Sequence, residues 1–207
     1  MLLPFDELDN LITSLEMPFQ PELDRRKTID ALYELLVLAY VYGTENIADA
    51  LGFEEKADAR VAEDIIYQKV AGQDWRERVN DYFANASELN GEFVVPIGGV
   101  LVSLADALAR IAETETTRVF NEAMLEAAMR AQLDESMNAE NPRRAMKQWV
   151  TMGDERVRHT HSLLNGTTIP LTERFWTVNG DSARFPADFG KPEEDCNCRC
   201  YLRFLWQ

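Results

Sequence analysis

The chain has 207 residues, of which 46% are hydrophobic and 28% charged, values ordinary for a soluble globular protein with a substantial core. Lys and Arg number 21 against 36 Asp and Glu, so the formal net charge is −15. A surface this acidic is repelled by phosphate backbones and anionic lipids, which argues against broad nucleic-acid binding and against docking on a membrane.

The start of the chain, MLLPFDELDN, has no basic segment and meets acidic residues at once, so it does not predict a secretory signal. The most apolar run, residues 35–41, is too short to cross a bilayer. These features predict a protein that is cytoplasmic as made. Its three cysteines, an odd number within five residues, favour reduced thiols or metal ligation over a disulfide framework.

The first part of the chain, residues 1–95, is predicted to be largely helical. Its apolar residues recur at spacings of three and four, which is the period of an amphipathic helix. The predicted helical segments cover residues 5–15, 23–42, 44–51, 57–70 and 74–83. Gly43 is predicted to end the second of them, because glycine readily takes the backbone conformation that closes a helix.

The longest helical pattern covers residues 100–132. Gly98 and Gly99 precede it without any nucleotide-binding motif, and they are interpreted as the entry to this helix. Glu115 falls on the apolar face of the helix. Either its aliphatic stem packs while its carboxylate reaches water, or it is a half-buried acid with a fixed cationic partner.

A polar stretch with an Asn–Pro pair, residues 134–142, marks a boundary. After it the pattern changes to a small mixed α and β part over residues 143–207. Its predicted elements are a strand at 148–151, a short helix within 154–164, extended segments at 167–171 and 175–178, and a final strand at 196–206. The predicted fold class is α+β, with a helical region at 1–95 and a second domain at 96–207 in which a long helix leads into the mixed part.

All histidines and cysteines lie in the last quarter of the chain, at His159, His161, Cys196, Cys198 and Cys200. If the final segment is a strand, the alternating cysteines share one face, and with His161 they offer enough ligands for tetrahedral zinc. The spacing lacks the CxxC pair of common zinc modules, however. Small buried thiols beside a hydrogen-bonded core histidine are therefore the alternative.

A nucleophilic site is formally available, since Cys198 or Cys200 could act with His161 and Asp154. No local motif of a known cysteine enzyme surrounds the cysteines, so no catalytic residue is assigned.

A structural polar cluster is the preferred interpretation of the same region. Arginine binds a carboxylate through two parallel hydrogen bonds and does not deprotonate, which suits it to a buried ion pair. Glu115 is expected to pair with Arg158 near His161, and so to hold the long helix against the mixed part. The predicted cluster consists of Glu115, Asn121, Asp154, Arg158 and His161.

Four blocks of residues occur in one order along the second half. Residues 111–116 read IAETET, with Asn121 further on, and residues 147–175 read K-x-W-V-T-x-x-D-x-R-V-R-x-x-H-x-x-L-x-G-x-x-I-P-L-x-x-x-F. A loop containing Pro186 and the closing N-C-R-C of residues 197–200 follow. This order resembles the C-terminal domain of phage Mu F-like minor head proteins, the head-morphogenesis proteins of tailed phages and prophages. Glu113 departs from it, because the family commonly has arginine there. The motif residues are Trp149, Gly166, Pro170, Phe175, Pro186, Cys198, Arg199 and Cys200.

The resemblance implies a non-enzymatic minor structural protein of a phage head, present in few copies and associated with the portal. It would act in procapsid assembly or in DNA packaging and delivery, first in the host cytoplasm and then in the virion head. Portal and capsid proteins are the expected partners, and self-association is left open. Neither sequence-specific nucleic-acid binding nor membrane binding is expected. Residues 1–90 match no nameable pattern and are expected to correspond to the variable N-terminal part of such proteins, where portal contact is expected.

The resemblance also implies how the mixed part is held together, through Trp149, Phe175 and Trp176 with the polar cluster. It implies no cofactor, so a zinc ion bound by His161 and the three cysteines would be a feature beyond what the resemblance implies. Two other functions stay open: an ADP-ribosyltransferase-like or toxin-related enzyme domain, and a zinc-stabilised binding module.

Overall fold

A computed structural model describes residues 24–51 and 75–207. Its helices are α1 (Arg25–Leu51), α2 (Trp75–Asn85), α3 (Leu104–Asn138), α4 (His159–Ser162) and α5 (Pro192–Asp195). Its strands are β1 (Ser87–Leu89), β2 (Glu92–Ile97), β3 (Val100–Ser103), β4 (Ala145–Val150), β5 (Thr168–Pro170), β6 (Phe175–Trp176), β7 (Ser182–Ala183) and β8 (Tyr201–Trp206). The predicted α+β class is confirmed. The helices predicted at residues 5–15 and 57–70 lie outside the described residues.

Helix α1 is longer than predicted. It begins after Asp24, whose carboxylate accepts hydrogen bonds from the backbone N–H groups of Arg26 and Lys27 at 2.9 and 3.2 Å. It then continues through Gly43 to Leu51, so the predicted stop at Gly43 and the separate helix at 44–51 are wrong. A Cβ atom at Gly43 would lie 2.6 Å from the carbonyl oxygen of Phe120 in α3. The glycine is therefore required by the close approach of two helices rather than by a helix end.

Helix α3 begins at Leu104, because residues 100–103 form strand β3. Strand β3 pairs antiparallel with β2 from Val94↔Ser103 to Ile97↔Val100, and β1 pairs with the other edge of β2. Gly98 and Gly99 have φ of 58° and 82°, as the two-residue turn of a hairpin requires. The helix start at residue 100 and the interpretation of the glycines as a helix entry are therefore wrong. Strand β1 and most of β2 lie within the region that was predicted to be largely helical, and neither strand was predicted.

The core of the first part lies between α1 and α3, with α2 and β2 against α3. Helix α3 has alanines at many of its buried positions, which lets neighbouring backbones come close. Trp75 and Val79 of α2 and Val95 of β2 are buried with them.

The mixed part is built on a three-stranded antiparallel sheet in the order β5-β4-β8, with Trp149 of β4 opposite Leu202 of β8. Strands β6 and β7 form a separate two-stranded ribbon. Trp149 and Phe175 are in the core, as predicted, but Trp176 is 63% exposed. Adjacent strand residues point to opposite faces, so Phe175 and Trp176 cannot both be buried here, and the predicted role of Trp176 is wrong.

The predicted final strand is also too long. It begins at Tyr201 rather than at residue 196, because α5 and a turn occupy the residues before it. Asn197 has a φ of 54°, which breaks the extended run within the cysteine segment. Only the residues after this break lead directly into β8.

Candidate functional site

One histidine and two cysteines meet in the interior of the mixed part. Nδ1 of His161 lies 3.6 Å from Sγ of Cys198 and 3.6 Å from Sγ of Cys200. The three side chains are 1–2% exposed. We call these three residues the His–Cys–Cys cluster.

Two side chains, those of Arg158 and Thr114, hold the backbone of the cysteine segment in place. A guanidinium nitrogen of Arg158 donates to the carbonyl oxygen of Cys196, and Nε of the same group donates to the carbonyl oxygen of Glu193 at 2.7 Å. The N–H of Asn197 donates to Oγ1 of Thr114 in α3 at 3.3 Å. The positions of both cluster cysteines are thus set by elements distant in sequence.

Asn121 joins α3 to the start of β8. Its Nδ2 donates to the carbonyl oxygens of Thr117 and Cys200 at 2.8 and 3.3 Å, and its Oδ1 accepts from the N–H of Leu202 at 2.9 Å. The side chain is completely buried. A buried amide with both ends bonded fixes the register between helix and strand, because any shift would leave polar groups unpaired.

The imidazole of His161 is enclosed on its remaining sides. It stacks on Phe189 with ring centroids 5.4 Å apart and meets the edge of Trp149 at 5.3 Å. Nε2 lies 3.0 Å from a carboxylate oxygen of Glu194, which also accepts from the Thr160 hydroxyl at 2.9 Å. Nε2 and Trp149 Nε1 are buried, and neither makes a hydrogen bond of good geometry in the structure.

The two thiols have different electrostatic surroundings. Hydrogen bonding from Cys200, and then from His161, lowers the pKa of Cys198 well below its usual range. The neighbouring Cys198, together with burial, raises the pKa of Cys200. One thiolate beside one thiol is the arrangement that these contacts favour.

Glu115 is buried, but its partners are not the predicted ones. Its two carboxylate oxygens accept from Arg78 of α2 at 2.6 Å and from Arg118 of α3 at 2.9 Å. Arg118 also pairs with Glu122 at 2.9 Å. The expected pair of Glu115 with Arg158 is therefore not formed, because Arg158 binds backbone carbonyls in the mixed part.

Asp154 lies apart from the cluster as well. It accepts two hydrogen bonds from Arg199, at 2.6 and 2.7 Å, and this contact lowers the pKa of its carboxyl group. The five residues predicted as one polar cluster thus belong to separate contacts. Asp154 does not reach His161, so the formal Cys–His–Asp combination is not assembled.

The metal ligand set predicted from sequence is reduced from four residues to three. Cys196 lies in the turn after α5 and is half-buried, and its Sγ is outside the group formed by His161, Cys198 and Cys200. His159 is exposed, because residues 159–162 are helical and so place alternate residues on different faces.

The other motif residues are structural. Gly166 has a φ of 79°, and its N–H donates to the carbonyl oxygen of Trp149 at 2.8 Å. Pro170 ends β5 opposite Met146, and Pro186 is buried. Arg199 lies between the two cluster cysteines in sequence and binds Asp154 on the surface.

Sequence reasoning missed Glu194 and Lys147. Lys147 is completely buried, its Nζ donates to the carbonyl oxygen of Arg184 at 2.8 Å, and burial lowers its pKa to about 8. The alternation of Ala145, Lys147 and Trp149 on one face of β4 would have indicated this burial. No local signal marks Glu194, which is one of three consecutive acidic residues in the short helix α5.

The cluster is placed for binding within the fold rather than for turnover. A nucleophile must be reached by its substrate, and these thiols are about as buried as the hydrophobic core around them. Thiolate and imidazole at this spacing are instead suited to a soft or borderline metal ion, or to mutual hydrogen bonding.

Comparisons with known proteins found one family model that matches more than half of the chain and two partial relatives. The profile described as "Phage Mu protein F like protein" matches residues 72–203. A segment of 54 residues, 26% of this chain, is 43% identical to the NAD(+)--arginine ADP-ribosyltransferase EFV of Enterococcus faecalis. A segment of 59 residues, 28% of this chain, is 34% identical to the minor head protein GP7 of Bacillus phage SPP1. The matched segments span 11% and 19% of those two relatives. No solved structure matches.

Proposed function

Because the chain belongs to the Phage Mu protein F like family, we propose that it is a non-enzymatic minor structural protein of a phage or prophage head. The observation that carries the proposal is the family match over residues 72–203, which includes α2, α3 and nearly all of the mixed part. The similarity to a named minor head protein of a Bacillus phage supports the same role.

We propose that the portal and capsid proteins are its partners, in procapsid assembly or in DNA packaging and delivery. The protein would act first in the host cytoplasm and then in the head. Among the described residues, no helix is both long enough and apolar enough to span a bilayer.

The end of α3 supports a protein partner. Met129, Leu133 and Met137 follow one another at intervals of four residues and are 39%, 60% and 69% exposed. Residues four apart lie on the same face of a helix, so these three form an exposed apolar stripe. Such a stripe on an otherwise acidic protein is suited to burial against another protein.

The proposal is tested on particles induced from the host and purified on a density gradient. Quantitative mass spectrometry is expected to find this chain at low copy number, in constant ratio to the portal protein. A Leu133→Ser variant should reduce its incorporation, while Asp134→Ser, at the neighbouring exposed position, should not. Absence of the chain from both procapsids and finished heads would contradict the proposal.

Similarity to an ADP-ribosyltransferase does not favour an enzyme here, because the match covers 11% of that protein. Incubation of the purified chain with labelled NAD and an arginine-rich acceptor should leave the acceptor unlabelled. Label transfer above a heat-inactivated control would overturn the non-enzymatic assignment.

A further inference from the structure

We propose that His161, Cys198 and Cys200 bind one zinc ion. The ligand atoms of these three residues lie within 4.8 Å of one another, and all three side chains are buried. This inference rests on the geometry of the cluster and is independent of the proposed role in a phage head.

The two nitrogen–sulfur distances fit a tetrahedral zinc site. With zinc–nitrogen bonds of about 2.05 Å and zinc–sulfur bonds of about 2.3 Å, tetrahedral angles place nitrogen and sulfur ligands about 3.6 Å apart. Nδ1 of His161 lies 3.6 Å from each of the two Sγ atoms. One position can therefore satisfy both nitrogen–sulfur pairs.

Hydrogen bonding alone explains this arrangement less well. A neutral imidazole has one acceptor nitrogen, so Nδ1 accepts one thiol proton in line and not two. The second sulfur at the same distance is then left without a bond to the ring. A metal ion bound by two thiolates and Nδ1 uses all three atoms, and its charge of +2 balances the two thiolates in the buried site.

The surroundings of the cluster resemble those of metal ligands. Histidine ligands are commonly oriented by a carboxylate at the other ring nitrogen, and Glu194 lies 3.0 Å from Nε2 of His161. In the tautomer that carries its proton on Nε2, Nδ1 is free to bind the ion. Beside the cluster, the indole N–H of Trp149 is buried and has no hydrogen-bond acceptor among the residues that the structure describes. A metal-bound thiolate can accept a hydrogen bond from such a group.

Three ligands from the described part of the chain leave one position of a tetrahedron, which water takes in sites of this kind. A set of two sulfurs and one imidazole nitrogen favours zinc over the hard cations calcium and magnesium. The chemistry is ligand binding alone, and any proton that the two cysteine sulfurs still carry is released when the ion binds.

The first test measures metal in the full chain, purified under reducing conditions without a histidine tag. Elemental analysis after zinc loading and gel filtration should find one zinc per chain. Replacement by cobalt should give the thiolate-to-metal charge-transfer band and the visible absorption of a tetrahedral site. A zinc content well below one per chain, or cobalt spectra without thiolate bands, would overturn the proposal.

Three cysteine variants separate the cluster from non-specific thiol binding. Cys198→Ser and Cys200→Ser should each lose the zinc and the charge-transfer intensity. Cys196→Ser is the matched control, because Cys196 lies two residues from Cys198 and is outside the cluster, and it should keep both signals. Equal loss in all three variants, or retention in all three, would contradict the assignment.

Chelation provides a readout that needs no variant. Because the ion binds only the folded site, removing it with a strong chelator should lower the Tm, and adding zinc back should restore it. Thermal unfolding that is unchanged by chelation would count against a site in this interior position.

Discussion

Glu115 and Lys147 are both buried, but they have different kinds of partner. Glu115, 4% exposed, is bound by two arginines. Lys147 is not exposed at all, and among the described residues its Nζ donates to a carbonyl oxygen and lies 5.4 Å from the ring centroid of Phe175 without forming an ion pair. A paired buried charge is costly to break, while an unpaired one is costly to keep. Substitutions at the two positions are therefore expected to act in opposite directions.

Glu115→Gln is expected to lower the free energy of unfolding by about 1–3 kcal/mol, because it leaves Arg78 and Arg118 without their shared carboxylate. The lower part of the usual range applies, since the Arg78 side chain is 39% exposed and Arg118 keeps Glu122. Urea unfolding measures the change. Glu113→Gln, at an exposed position of the same helix, is the control, and equal midpoints for the two variants would contradict the buried network.

Lys147→Met is expected to remove one source of the pH dependence of the free energy of unfolding. The pKa of Lys147 is about 8 in the folded chain against an ordinary value of 10.5, so the folded state gives up the proton first. Below pH 8 both states are protonated and the burial penalty is fully present. As pH rises from about 8 to 10.5 the penalty is relieved, so stability rises by about 3 kcal/mol relative to the methionine variant.

The measurement is the difference in unfolding free energy between the two proteins across that pH range, which cancels the titration of shared groups. Lys27→Met, at an exposed position of α1, controls for the loss of one positive charge. A difference that is flat from pH 7 to pH 10.5 would show that Lys147 is not held in a desolvated site.

At the scale of elements, the crossing of α1 and α3 depends on one residue without a side chain. Gly43→Ala would place a Cβ atom 2.6 Å from the Phe120 carbonyl oxygen and 2.9 Å from the Ala123 Cβ. Backbone cannot move aside as a flexible side chain does, so the helices must separate. We expect destabilisation by about 1–3 kcal/mol, in spite of the better helix propensity of alanine.

Thermal unfolding of Gly43→Ala should show this loss. Glu45→Ala, exposed two residues further along α1, serves as the control for a change in helix propensity. A Gly43→Ala protein that is more stable than the parent would mean that the two helices do not approach this closely.

At the scale of the whole molecule, the net charge of −15 disfavours binding to DNA. An acidic surface gains nothing from releasing the counterions of DNA, so no binding is expected even at low salt. A gel-shift titration with double-stranded DNA at low ionic strength checks this. A salt-sensitive complex would instead reveal a local basic surface and reopen a direct role in packaging.

Several features followed from local patterns, and their physical reasons are clear. The helical period of residues 25–51 and 104–138 and the alternation in β4 depend on neighbours along the chain. Such patterns are visible in one sequence. The hairpin turn at Gly98–Gly99 was also encoded locally, but a glycine pair before an apolar run fits a helix entry as well as a turn.

The sequence by itself therefore determined the α+β class, the family and the concentration of ligand-type residues in the last quarter of the chain. Only the tertiary structure decided which distant side chains contact one another. Glu115 meets Arg78, 37 residues away, and His161 meets Cys198 and Cys200, 37 and 39 residues away. The reason is physical: periodicity records which face a residue occupies, whereas contacts between distant residues depend on how those faces pack against each other.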